Sequence, residues 1–275
     1  MSLGSLTGAR TCLFELNKNA NAQVESFKKL ASGRRINGAK DDAAGLAISS
    51  KIEAHTRSLQ QAKRNAHDGI SLIQTAEGSM QQISKILIRL RELAIQASSD
   101  TIGEEERSYL DKEVQEQKAE ITRNSQSTEF NGTKLLNGDG DFLELQIGIK
   151  NNPAEDRFSI NLSKIDVTLR ALGMEDVNVA AKEDAQTALE EIDGALKILV
   201  ENQSELGALQ NRLEAVINNI EVYTQNLQAA NSQIVDLDMA REYTNATQYG
   251  IRNQFGMAVL TQANANSMLV LRLIA

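Results

Sequence analysis

His55 and His67 are the only imidazoles in the chain, and they stand twelve positions apart. A helix that holds a metal with two histidines needs them four apart, so that both rings leave one face. The pair therefore predicts no metal or catalytic centre, and both read as ordinary surface or seam residues of a helix. Glu104, Glu105 and Glu106 are the one run that resembles an acid/base or calcium cluster. Three acids beside a helix N-terminus are explained more simply by the helix dipole and by solvent. Cys12 is the single cysteine, which excludes an intramolecular disulfide framework and a multi-cysteine metal site, and leaves a small helical residue. No phosphate loop, dinucleotide glycine pattern or nucleophile elbow occurs. These residues predict no enzyme, no cofactor and no metal.

What remains is a sequence built for packing. Residues are 41% hydrophobic but only 4% aromatic, with no Trp and one Pro. Such an Ala- and Leu-rich mixture suits long helices packed on helices. The net charge of -8 argues against a nucleic-acid partner. That charge is uneven: residues 1–40 carry seven basic and two acidic groups, residues 235–275 balance three against three, and 41–234 hold -13. No apolar run is long enough to span a membrane, and no Sec-type signal opens the chain, so an extracellular destination requires another export route.

Two heptad tracts dominate. The first runs Ile48, Ile52, His55, Leu59, Ala62, Ala66, Gly69, Ile73, Ala76, Met80, Ile83, Leu87, Leu90, Ala94, Ala97, broken only by His55 and Gly69. A 3.5-residue period of that length predicts a helix with a coiled-coil-like seam over about 42–98, roughly 85 Å long, with Asp41 and Asp42 as N-cap candidates. The second runs Ala185, Leu189, Ile192, Leu196, Leu199, Gln203, Leu206 and restarts at Leu209, Leu213, Val216, Ile220, a stammer in a helix of about 183–235. Thr101 and Glu104 fit a capping box for a third helix at about 102–128, folded back on the first. LELQIGI (143–149) and FSINL (158–162) alternate around NNPAED and predict a β-hairpin within a region of about 130–170. The fold class is mainly α: a long antiparallel coiled-coil-like rod with one small β-hairpin region, and paired N- and C-terminal helices.

The termini differ from the rod. Residues 5–31 carry apolar groups at helical spacing, and residues 240–274 are poor in charge and end NSMLVLRLIA. Such an apolar tail on an acidic chain predicts a partner that covers it. Within the rod, ILIRLRELAIQA (86–97) sets Arg89, Arg91 and Glu92 among apolar residues. The heptad assigns Leu87, Leu90, Ala94 and Ala97 to the internal seam, which leaves Arg89 and Glu92 on an outer face.

Several blocks carry a family likeness: LASGRRINGAKDDAAGLAISSKI (30–52), AKRNAHDGISLIQTAEGSM (62–80), LIRLRELAIQASSD (87–100), STEFNGTKLLNG (127–138) and AANSQIVDLDMARE (229–242). In order and spacing these resemble bacterial flagellin over nearly the whole chain. The resemblance implies an inner domain of residues 1–40 plus 236–275 and a rod domain of 41–235. Only residues 163–182 lie where the family's variable outer domains sit, so the chain resembles a minimal form. It also implies a homopolymeric extracellular filament for swimming, type III export, an export chaperone at the C-terminal segment, and filament cap and junction proteins. A repeating contact that does not close gives a helical polymer. Subunit assembly would fall on Leu13, Leu16, Phe27, Leu30, Arg34, Arg35, Ile251, Phe255, Val259, Leu269 and Leu271.

The RxREL pattern further resembles the patch read by the vertebrate Toll-like receptor for flagellin, here Arg89, Leu93 and Gln96 with Glu113 on the neighbouring helix. Filament packing is the plainer use of the same residues. The sequence departs from the family in three places. MSLGSLTGAR stands where an Ile-Asn-Thr-Asn-like opening is usual and reads as a few residues short, Ser267 stands where Pro is common, and Ile88 where Gln is frequent. Two other readings stay open at this level: a hook-filament junction protein, against which SGRRIN and RNAHDG weigh, and a secreted helical module that binds a host receptor.

Overall fold

The computed structural model describes residues 3–140 and 142–274 and, within them, the side chains of all but residues 3–7, 9, 267 and 269–274. Helices α1 (Leu3–Ser32), α2 (Ala43–Ala97) and α3 (Glu104–Ser127) come first. A small hairpin, β1 (Glu129–Phe130) and β2 (Thr133–Lys134), is followed by a second, β3 (Phe142–Gln146) and β4 (Arg157–Asn161). Helices α4 (Lys182–Val235) and α5 (Met239–Ile274) complete the chain. It divides into two compact units, Arg57–Thr224, and Met1–Thr56 with Gln225–Ala275.

In the first of these units α2, α3 and α4 enclose one apolar core with the hairpins. From Leu59 to Ala97 every position of the predicted α2 seam is buried. Gly69, the odd residue there, has a packing reason. A Cβ on it would collide with Leu145 of β3 and come within 3.2 Å of Leu213 Cδ1 on α4. α2 and α4 run antiparallel, with Arg91 bound to Asp193 at 2.7 Å and Lys182 to Asp100 at 2.6 Å.

The stammer predicted for α4 is absent as a break in register. Ala185, Ile192, Leu199, Leu206, Leu213 and Ile220 are all buried at an unbroken seven-residue interval. The companion positions are Ala188 and Ala195, also buried, whereas Leu189 and Leu196 sit half-buried on the flank. Leucines beside small seam residues gave the sequence pattern its false step. The next companion position, Asn202, donates its side-chain amide to the Asp166 carbonyl at 3.3 Å.

One local expectation changes at the start of α3. The predicted capping box does not form: α3 is N-capped by Gly103 with no side-chain cap bond, although Glu104–Glu106 do fill its first turn. Arg107 closes the α2–α3 corner instead, donating to the Ala97 and Ser99 carbonyls at 2.8 and 2.9 Å and satisfying the end of α2. Among the N-cap candidates, Asp42 accepts from Gly45 N–H at 2.9 Å and caps α2.

Two features at the hairpin end lay outside the pattern reading. The β1–β2 hairpin turns on Asn131 (φ 49°) and Gly132 (φ 81°), the pair of left-handed residues that a two-residue turn requires. Residues 163–182, which lie where the family's variable outer domains sit, contribute to the core: Ile165, Val167, Leu172, Met174, Val177 and Val179 are buried. α3 straps this segment down from one face. Lys118 Nζ donates to the Glu175 and Val177 carbonyls, both at 2.8 Å, and Asp111 accepts from Val179 N–H at 3.0 Å.

Candidate assembly surface

α1 ends at Gly33, whose φ of +66° suits glycine as a helix stop. α5 starts at Asp238, whose carboxylate accepts from Arg241 N–H at 3.1 Å. Between them the two interhelical links are clasped. Arg35 N–H donates to the Val235 carbonyl at 2.6 Å and Leu237 N–H to the Gly33 carbonyl at 3.1 Å, which pairs the backbones of Arg34 and Asp236 as an isolated antiparallel bridge. The Arg35 guanidinium adds a bond to the Ile234 carbonyl at 2.6 Å, and Arg34 lies 3.5 Å from Glu53. Arg34 and Arg35 thus work inside their own unit.

The clasp sets α1 and α5 side by side, antiparallel. Their facing positions alternate by four and three: Cys12, Leu16, Asn19, Gln23, Ser26 and Leu30 on α1, with Ala246, Tyr249, Asn253, Gly256 and Leu260 on α5. Those residues are mostly small or polar. Asn253 donates to Gln23 Oε1 at 2.8 Å, Cys12 Sγ reaches the Gly256 carbonyl at 3.6 Å, and a Cβ on Gly256 would stand 2.9 Å from Leu16 Cδ1.

Most of the large apolar side chains therefore point away from the pair. Leu13, Phe14, Val24 and Phe27 on α1 are exposed, as are Met239, Tyr243, Ile251, Phe255, Met257 and Val259 on α5, with Phe255 at 68%. This inverts the usual arrangement, in which a helix pair hides its apolar stripe and shows its polar one. Of the sequence-predicted assembly residues, Leu13, Phe27, Ile251, Phe255 and Val259 lie on this outward surface. Leu16 and Leu30 lie in the seam. The side chains of Leu269 and Leu271 fall outside the described residues. Phe14, Val24, Tyr243 and Met257 belong to the surface as well, though outside the predicted assembly set; their aromatic or bulky character near the polar seam positions is the available signal.

On the rod unit, Arg89 joins α2 to α3. Its Nε and Nη2 donate to Glu113 Oε1 at 3.0 and 2.8 Å, and Nη1 donates to Glu92 Oε2 at 3.1 Å. Glu113 first, then Glu92, raises the guanidinium pKa above its ordinary value. Gln96 is exposed nearby, but Leu93 is 1% exposed and belongs to the core. The structure thus brings Arg89 and Glu113 together and turns Leu93 away from them. His55 is half-buried and His67 exposed, and among the described residues no three His, Cys, Asp or Glu side chains converge to hold a metal. Nor, among those residues, is any helix long and apolar enough to cross a membrane.

Comparison with known proteins gives this surface its context. Residues 7–141 match the bacterial flagellin N-terminal helical region, and residues 189–274 match the C-terminal helical region. The chain is 43% identical over 256 residues to a flagellin of Halalkalibacterium halodurans, covering 93% of each chain. It is 39% identical to the flagellar filament 31.3 kDa core protein of Treponema maltophilum, covering 92% of each, and 36% identical to the Bacillus subtilis flagellin over the full length of both. Among solved structures, Bacillus cereus flagellin superposes with a TM-score of 0.51 at 29% identity, covering 61% of this chain and 94% of that one. An α1–α5 pair with its apolar side chains turned outward, on a chain matched at both ends by these helical regions, has one family home: the chain belongs to the bacterial flagellin family.

Proposed function

We propose that this flagellin is a structural subunit of the extracellular bacterial flagellar filament, the helical propeller for swimming, and that its α1–α5 pair is the polymerising element. The outward apolar surface is the observation that carries this reading. A monomer rarely leaves so many large apolar groups in water, whereas a stack of identical pairs hides them. The contact is heterologous and its rotation does not close, which yields a filament rather than a ring. Residues 1–40 with 236–275 act as the inner, polymer-forming domain, and 41–235 as the rod. Leu13, Phe27, Ile251, Phe255 and Val259 make intersubunit contacts; Leu16, Leu30, Arg34 and Arg35 shape the pair that presents them; Leu269 and Leu271 extend the contact toward the C-terminus.

The same apolar surface must be kept from aggregating before assembly. An export chaperone covers the C-terminal segment, the chain leaves through the type III apparatus, and cap and junction proteins meet it at the filament. Relatives whose names are flagellin or filament core protein favour this reading over a junction protein or a secreted binding module.

Seeded growth tests the proposal. Purified subunit mixed with short filament seeds and precipitating salt should extend them, as seen by electron microscopy. Deleting residues 236–275 should abolish growth while the rod remains helical by circular dichroism. Subunit that stays monomeric with seeds under all such conditions would overturn the reading.

A second activity has its own observation, the exposed Arg89–Glu113–Glu92 cluster. In free subunit this face, with Gln96, is open to the Toll-like receptor for flagellin. Arg89→Ala should weaken receptor signalling by monomer, and unchanged signalling would sink the patch.

A further inference from the structure

The described residues contain two kinds of methionine. Met80 and Met174 are sealed in the rod core at 0% exposure. Met239, Met257 and Met268 all lie on α5 and are 50%, 60% and 61% exposed. Their spacings of eighteen and eleven residues are five and three helical turns, so the three thioethers fall on one line along that helix. Neighbouring exposed groups, Ile251, Phe255 and Val259, face other directions around α5. A helix that is apolar on several sides is stable only when enclosed.

From this arrangement we propose that Met239, Met257 and Met268 form a peroxide-sensitive modification site, and that their sulfoxides render free subunit unable to assemble. The proposal rests on the filament reading above. The reactant is a hydroperoxide, hydrogen peroxide being the simplest. A sulfur lone pair attacks one peroxide oxygen, a sulfur–oxygen bond forms and the oxygen–oxygen bond breaks. The thioether is oxidised by two electrons to the sulfoxide, and the peroxide is reduced to water. Each product replaces a flexible apolar group by a polar one with a strong acceptor oxygen. In free subunit that oxygen is hydrated. When a second copy covers α5 that oxygen must exchange its water for whatever donors the contact offers, and the apolar groups that fill the rest of the outward surface, Ile251, Phe255 and Val259, offer none. The line is open in subunit and closed in polymer, so growth protects the filament from the modification that blocks it.

Monomer treated with hydrogen peroxide, quenched with catalase, digested and weighed by mass spectrometry provides the test alongside seeded growth. Met239, Met257 and Met268 should gain oxygen well before Met80 and Met174. The subunit concentration needed for growth should rise about tenfold or more, the scale of one polar group left unpaired in a buried contact. Methionine sulfoxide reductases acting on the oxidised monomer should restore growth. The same peroxide dose on finished filaments should leave the three residues unmodified along their length. Replacing all three by leucine should make growth indifferent to peroxide; the oxidation-and-reduction cycle on the natural chain decides the matter if that variant grows poorly. Monomer fully oxidised at the three positions that still extends seeds at the untreated rate would overturn the proposal, as would equal oxidation of Met80 and Met174. Failure of untreated monomer to grow would instead overturn the filament reading, and this one with it.

Discussion

Asn253 on α5 donates its side-chain amide to Gln23 Oε1 on α1 at 2.8 Å, in a seam position where a coiled coil would usually carry leucine. A polar pair there fixes one register at some loss of stability, because any slip leaves both amides without partners. The pair needs that specificity: its other facing residues are mostly small or polar, and most of its large apolar ones point outward.

Asn253→Ala should strand the Gln23 amide and cost about 1 kcal/mol of pairing. Sedimentation of seeded reactions should show a several-fold higher subunit concentration at the growth threshold. Replacing Gln23 and Asn253 both by leucine should tighten the pair yet permit shifted registers, and slow extension. A double variant that extends seeds like the natural chain would show that the amide pair sets no register.

Much of this was legible in the sequence, for reasons that can be named. The α2 seam from Leu59 to Ala97 was readable because one helix keeps one face inward for many turns. α4 was harder: Ala188 and Ala195 fill the seam while the larger Leu189 and Leu196 flank it, and hydrophobicity alone favours the larger residue. The 163–181 strap has no period to detect, since Lys118 and Asp111 on α3, far away in sequence, hold its backbone. The β1–β2 hairpin has an Asn131–Gly132 turn signal, but its two-residue strands are too short to show any alternation beside it. On the terminal pair, apolar spacing marked α1 as helical but did not say which of its apolar residues meet α5: Leu16 and Leu30 lie in the seam, while Phe27 and Phe255 are exposed.

The apolar run around Arg89 gives two substitutions with opposite expectations. Leu93→Ala removes a fully buried side chain and should destabilise the rod by roughly 2–5 kcal/mol. Arg89→Ala breaks bonds to Glu113 and Glu92 that are exposed, so thermal melting should move little. Melting followed by circular dichroism should separate the two. A receptor assay that treats them alike without this control would confuse unfolding with lost contact.

Lys118 is 7% exposed, and its ammonium is held by two carbonyls of the strap. Lys118→Met keeps the aliphatic stem but removes both donors, leaving Glu175 O without this bond and Val177 O with only the long 3.4 Å contact from Gln115. The expected loss is about 1–3 kcal/mol, concentrated in the strap. Hydrogen exchange should therefore quicken at amides 175–179 before it changes in the middle of α2. Uniform exchange along the rod would mean that the strap and the helices open as one piece.

Acid should expose the ion pairs that tie the long helices. The hydrogen bond from Lys182 holds the Asp100 carboxyl below its usual 3.8, and that from Arg91 does the same for Asp193. Lys63 lowers Glu221 below its usual 4.5. A carboxylate whose folded pKa is depressed stabilises the fold fully above its unfolded pKa, and the contribution disappears as pH falls through the folded value. Melting temperature should accordingly hold steady from neutral pH to about 5 and drop as pH passes below about 4. The groups are on the surface, so each share is small and added salt should shrink it. Asp100→Asn with Asp193→Asn should lower melting slightly at pH 7 and flatten the decline below pH 4. An equally steep decline in that variant would place the acid sensitivity elsewhere in the rod.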